Sequence, residues 1–191
     1  MTLLQKINGL KASDENWVCY PDFKLSSTST EDNSVHELTR LFWMSPYQRE
    51  LGKRFGDVLQ VDVSEGHNGY NFYLTTFVMV DGENNSRNLA YCLHDRQDAP
   101  TFEWMFQHLD PFLNSGCVFS AIFSDRDGAI IKAVEKVWPE VFHGHCLWHL
   151  LKNIRKKLGP LLQGEFSKFM SDFWDVYRDR LPCFLRTGLF C

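Results

Sequence analysis

Two aspartates interrupt otherwise apolar runs of this chain: Asp62 lies inside Val58-Leu59-Gln60-Val61-Asp62-Val63, and Asp125 follows Val118-Phe119-Ser120-Ala121-Ile122-Phe123-Ser124. An ionised carboxylate on an apolar strand costs several kcal/mol or so unless it is paired or coordinates a cation. If the chain brings the two strands together, both carboxylates stand at one edge. Such a pair suits divalent cations about 4 Å apart that activate water and stabilise a leaving oxygen in phosphodiester chemistry, with Mg²⁺ as the natural hard ion. The competing reading is structural: Asp62 salt-bridges an arginine, and Asp125 opens the turn before a helix capped by Asp127.

A second concentration of reactive side chains is His143-Gly144-His145-Cys146-Leu147-Trp148-His149. Cys146 and His149 are three apart and share a face of a helix, which Asn153 extends. They fit a structural pair bracing that helix, half of a zinc site completed by His143 and His145 or by ligands further along, or a Cys/His nucleophilic dyad. Four tetrahedral ligands within seven residues would strain the chain, and nothing else in the sequence builds an acyl-transfer site. The structural reading therefore leads, with Trp148 assigned to the core. Lys152, Arg155, Lys156 and Lys157 follow, either as a solvated helix end that complements the helix dipole or as a phosphate-contacting strip.

The elements that must position these groups follow from periodicity. Residues 17–25 and 35–43 are β-like, joined by the polar Ser-Ser-Thr-Ser-Thr-Glu-Asp-Asn-Ser, and imply a hairpin or lead-in. Ser45-Pro46 reads as N-cap and first residue of a helix to about Phe55. Strands are expected over 58–64, 70–80 and 88–94, with turn compositions between them. Thr101 is expected to cap a helix with the apolar stripe Phe102, Met105, Phe106, Leu109, Phe112 and Leu113. A buried strand over 117–123, a helix from Asp127 to Pro139, a short strand over 141–145, a helix ended by Gly159-Pro160 and a last amphipathic helix carrying Phe166, Phe169, Met170, Phe173 and Tyr177 complete the order. This is an α/β pattern with an antiparallel start and a parallel continuation, the element order of an RNase H-like fold.

The chain has 191 residues, 44% hydrophobic and 15% aromatic, enough for a sizeable core. A net charge of −4 argues against a protein that coats nucleic acid electrostatically and restricts any DNA contact to a local patch. The six cysteines form no C-x-x-C pair and the N-terminus lacks a signal-peptide run, so the expectation is an intracellular, non-secreted protein with reduced thiols. No apolar stretch is long enough for a membrane span.

Taken in order, Leu41-Phe42-Trp43, Phe55-Gly56-Asp57-Val58, Val61-Asp62 with Asn68, Thr101-Phe102-Glu103-Trp104, Ser124-Asp125-Arg126-Asp127, Val137-Trp138-Pro139 and Cys146-Leu147-Trp148-His149 with Asn153 resemble the transposase domain of Mutator-like elements (MULE). The same pattern occurs in far-red-impaired response proteins, transcription regulators domesticated from such transposases. The resemblance covers about residues 38–158. It implies an RNase H-like DDE nuclease fold, a mixed sheet with flanking helices. Asp62 and Asp125 would be its first two catalytic, metal-binding acids, holding Mg²⁺ or Mn²⁺, and Cys146-x-x-His149 its signature.

The resemblance places the third acid, a glutamate, beyond a helical insertion that the chain does not reach, so the sequence reads as truncated after the Cys146-x-x-His149 helix. The threonine-containing motif usual after the first aspartate is here Val63-Ser64-Glu65. The implied organisation is a lead-in over 1–56, the transposase core over 57–158 and the start of the insertion over 159–191. The implied function is metal-dependent DNA strand cleavage and transfer in transposition. The alternative is a catalytically inactive, domesticated domain that binds DNA or protein. Nuclear localisation, transposon-end or promoter DNA as partner, and homo-oligomerisation follow from the same resemblance.

Overall fold

The computed structural model describes residues 3–28, 34–65, 69–113, 116 and 118–180. Asn68, Cys117, Cys183 and Cys191 lie outside the described residues. The chain divides into two compact units, Met1–Gly144 and His145–Cys191.

The first unit is built on a mixed sheet. Helix α1 (Leu3–Ser13) leads into β1 (Val18–Leu25) and β2 (His36–Met44), an antiparallel hairpin. Helix α2 (Pro46–Phe55) follows, then the meander β3 (Val58–Ser64), β4 (Tyr73–Val80) and β5 (Ser86–His94), helix α3 (Ala99–Leu113), β6 (Ala121–Ser124), helix α4 (Gly128–Val137) and β7 (Phe142–His145). The seven strands lie in the order β1-β2-β5-β4-β3-β6-β7. The β2–β5, β5–β4 and β4–β3 pairs are antiparallel, whereas β3 and β6 run parallel. The hairpin read from the first fifty residues is thus two further strands of this sheet, joined through β2 to β5.

Alternation along the strands decides which side faces which layer. In β2, Phe42 and Met44 enter the main core, and Leu41 packs on the other side with Ile7 of α1 and Cys19. The main core joins Leu59 and Val61 of β3, Phe77 of β4 and Ile122 of β6 to Phe102, Phe106 and Leu109 of α3 and Ile130 and Val134 of α4. Phe106 stacks on Trp138 at 4.8 Å between ring centroids, and Phe119 meets the same indole edge-on at 4.9 Å. The Trp138 indole N–H donates to Asp110 at 2.7 Å, which satisfies the one polar atom this ring carries inward.

Several starts and stops differ from the sequence expectations. Helix α2 begins as expected: Ser45 accepts from the Gln48 amide and the Gln48 side chain accepts from the Ser45 amide, a reciprocal capping box. Helix α3 begins three residues earlier than expected. Asp98, not Thr101, supplies the capping oxygen, accepting the Thr101 N–H at 3.0 Å, and Thr101 is buried inside the first turn. The strand expected over 117–123 is confined to Ala121–Ser124. Val118 is 80% exposed, and Ser120 turns both its amide and its hydroxyl to the Asp57 carbonyl.

The second unit is a helical pair. Helix α5 (Leu147–Leu162) passes through Gly159-Pro160 instead of ending there. A residue before proline is pushed out of the helical region by the clash of the proline ring with its N–H and its Cβ, and Gly159 lacks the Cβ. The helix ends at Gln163, whose φ of 41° is left-handed and whose N–H reaches the Gly159 carbonyl. A 3₁₀ turn over Gln163–Glu165 leads into α6 (Phe166–Arg180), where Phe173 stacks on Tyr177 at 5.7 Å. Among the described residues no helix is long and apolar enough to cross a membrane.

Candidate functional site

The parallel pairing of β3 with β6 sets Val58 against Ala121, Leu59 against Ile122, Gln60 against Phe123 and Val61 against Ser124. One step further along each strand come Asp62 and Asp125. Residues far apart in the chain are thereby delivered to the C-terminal ends of two adjacent strands. Leu59 and Val61 face the core, so alternation turns Asp62 to the opposite side of β3, where it is half-buried. Thr76 of β4 stands across from Asp62 on its other flank.

The segment Ser124-Asp125-Arg126-Asp127-Gly128 converts strand into helix, and its two aspartates have distinct partners. Asp127 is the N-cap of α4, its carboxylate accepting the amides of Ala129 at 2.7 Å and Ile130 at 3.2 Å. The exposed Asp125 accepts the Arg126 amide at 2.7 Å with its side chain. Its carbonyl accepts both the Asp127 amide and the Ser124 hydroxyl, each at 2.8 Å. Ser124 is fully buried, and its oxygen also lies 2.8 Å from Nε2 of His143 in β7. The capping role expected of Asp127 therefore belongs to it alone, while the Asp125 carboxylate is turned to solvent.

Two carboxylates ending adjacent strands, one half-buried and one exposed, are the oxygen donors a hard divalent cation takes. Mg²⁺ in particular is held by one or two carboxylates and keeps several waters. In donor type, Asp62 and Asp125 match that ion. Among the described residues no group of three or more His, Cys, Asp or Glu side chains gathers as metal ligands.

In the histidine-rich stretch the structure separates the members. His143 reaches Ser124 across the sheet, and Gly144 is buried against the Phe123 ring. His145 is exposed. Cys146 is the buried N-cap residue of α5 and makes no side-chain capping bond. Tyr177 of α6 lies close enough to feel Cys146: its hydroxyl is raised above the ordinary tyrosine range by burial first and by the Cys146 charge second. Trp148, expected in the core, is 53% exposed, with the Lys152 ammonium 4.7 Å over its ring. One helical turn apart, the two side chains share the solvent side of α5, while Leu151, Ile154 and Leu158 take the half-buried side. Lys152, Arg155, Lys156 and Lys157 are all exposed, and none forms a salt bridge with a described acid.

The sequence singles out both aspartates but neither the backbone pairing of Asp62 with Thr76 nor the Ser124–His143 bond. No local pattern signals a contact between residues on different strands. The only hint was a hydroxyl directly before an aspartate at a strand end.

Comparison with known proteins adds a family and relatives. The model of a family described as MULE transposase domain matches residues 58–153. Among curated proteins of Arabidopsis thaliana, Protein FAR1-RELATED SEQUENCE 5 is 28% identical over 153 residues, covering 80% of this chain and 19% of its own length. Protein FAR1-RELATED SEQUENCE 4 is 26% identical over 170 residues, covering 89% and 20% respectively. Protein FAR-RED IMPAIRED RESPONSE 1 is 25% identical over 122 residues, covering 64% and 15%. The chain thus spans about a fifth or less of the length of these relatives.

Proposed function

The chain belongs to the MULE transposase domain family, and from that premise we propose that this transposase-derived domain is the RNase H-like part of a metal-dependent DNA strand-cleaving and strand-transferring site. The observation that carries the reading is the Val61–Ser124 pair, which brings Asp62 and Asp125 to one sheet edge. The strand order β5-β4-β3-β6-β7, an antiparallel meander followed by a parallel crossover through α3, supports the RNase H-like assignment.

In this proposal Asp62 and Asp125 hold Mg²⁺ or Mn²⁺. When bound, the cation supplies Lewis-acid polarisation of a phosphodiester and a more acidic water. The chain's own part is to hold Asp62 within β3 and Asp125 directly after β6, two strands paired in parallel. Lys152, Arg155, Lys156 and Lys157, exposed on α5 without a described acidic partner, serve as phosphate contacts, and DNA in the nucleus is the partner. The core is placed at 57–158, with 159–191 as the start of a helical insertion.

A second reading, favoured by the far-red-impaired names of the relatives, is a domesticated domain that binds DNA or protein without cutting. One experiment separates the two: incubate the full chain with terminal-inverted-repeat DNA and Mg²⁺ or Mn²⁺, beside Asp62→Ala and Asp125→Ala. Cleavage lost in both variants supports the catalytic reading, and cleavage that survives their combination removes the pair from the chemistry. Salt-dependent binding without cleavage supports the second reading.

A further inference from the structure

The two aspartates are not held alike. Asp62 lies within β3, where the ladder with β4 fixes its backbone opposite Thr76. Asp125 lies one residue past the end of β6, and its backbone is fixed by other means. Its carbonyl receives the Asp127 amide from the turn that starts α4, and the Ser124 hydroxyl from the interior. A carbonyl can only accept, so the Ser124 proton is committed to Asp125, and the remaining contact of that oxygen, at 2.8 Å, is a bond donated by His143 Nε2–H. Ser124 is fully buried, so this hydroxyl cannot turn to water instead.

From this geometry we infer that Ser124 and His143 are positioning residues for Asp125: His143 on β7 orients the buried Ser124 hydroxyl, and that hydroxyl clamps the Asp125 carbonyl so that its carboxylate meets a cation shared with Asp62. The inference rests on the cation-binding reading given above and deepens it. Neither residue touches the cation. Their effect passes through the peptide plane between Asp125 and Arg126, whose tilt sets the direction of the Asp125 side chain. Groups that orient metal ligands in this indirect way are commonly worth about ten- to a hundredfold in metal affinity when removed.

The test is Mn²⁺ titration of the full chain, read by the electron paramagnetic resonance of free Mn²⁺. Ser124→Ala and His143→Ala are expected to weaken binding about tenfold. His143→Gln, whose side-chain amide also donates, is expected to restore most of it. Ser45→Ala, which weakens a distant helix cap, serves as a control for lowered stability and is expected to bind as the parent does. If Ser124→Ala does not fold, the His143→Ala and His143→Gln pair makes the same comparison. Parental affinity in both Ser124→Ala and His143→Ala overturns the positioning role and leaves the aspartate site standing. Mn²⁺ binding that ignores Asp62→Asn and Asp125→Asn overturns the aspartate site, and the positioning role with it.

Discussion

Val61 on β3 pairs with Ser124 on β6, and each is followed at once by an aspartate. Asp62→Asn keeps the size of the side chain and removes its charge, so it isolates the carboxylate that would hold a cation. With Mn²⁺ at about a hundred times its Kd, the parent should gain about 2.7 kcal/mol in unfolding free energy, and Asp62→Asn should gain almost none. Urea unfolding with and without Mn²⁺ measures both; a variant stabilised as much as the parent would show that Asp62 is no ligand.

Asp125 and Asp127 sit two apart in one turn, yet the structure gives them different work. Asp127 accepts two first-turn amides of α4, so Asp127→Ala is expected to cost about 1 kcal/mol, and at most about 2, of unfolding free energy. Asp125 accepts only the neighbouring Arg126 amide and is exposed, so Asp125→Ala should cost less than half as much while removing Mn²⁺ binding. Paired unfolding and Mn²⁺ titrations check this. Equal destabilisation by the two substitutions would return Asp125 to a turn-forming role.

Gly144 in the His143-Gly144-His145 stretch is a close-approach position. A Cβ there would stand 2.6 Å from Cδ1 of Phe123, whose ring packs edge-on against Phe142 at 6.0 Å. Gly144→Ala is expected to cost about 1–3 kcal/mol as β6 and β7 are forced to adjust. Combining it with Phe123→Leu should recover part of that loss if the ring is the obstacle. Chemical unfolding of the two variants decides, and additive losses would locate the strain elsewhere.

What could be read from the sequence, and what could not, follows the range of the interactions concerned. The β3 strand, the Ser45-Pro46 helix start and the Asp127 cap depend on neighbours within about four residues, and their residue types carry the physics directly. That β3 and β6 are neighbours follows from the sequence only through an assumed crossover. The Ser124–His143 bond was not inferable, because it links two strands through side chains with no periodic mark. Helix α1 left a faint pattern: Ile7 is its only buried residue among those whose side chains are described. At Gly159-Pro160 two helix breakers stand together, and the glycine relieves the clash that the proline would otherwise create. Trp148 was misplaced because a tryptophan on an amphipathic helix is usually buried, whereas here a lysine one turn away covers its face in solvent.

The burial of His94 predicts the sign of a pH dependence of stability. It is fully buried on β5, with Nδ1 2.7 Å from the Arg96 carbonyl and Nε2 2.8 Å from the Thr75 hydroxyl. The Nδ1 contact requires a proton on that nitrogen, so the neutral ring accepts from Thr75 through Nε2. Burial lowers the imidazole below its ordinary 6.5; the Arg96 carbonyl and the nearby Asp95 and Asp98 charges oppose this, and Arg40 adds to it. A group depressed in the folded state binds its proton more readily when unfolded. Its contribution is present in full above the unfolded value and is lost as the pH falls from there through the folded value. Urea unfolding at about pH 7.5 and about pH 5 should therefore show lower stability in acid, and His94→Gln should be less stable at the higher pH but lose less between the two. An equally steep fall in His94→Gln would assign the acid sensitivity to other groups.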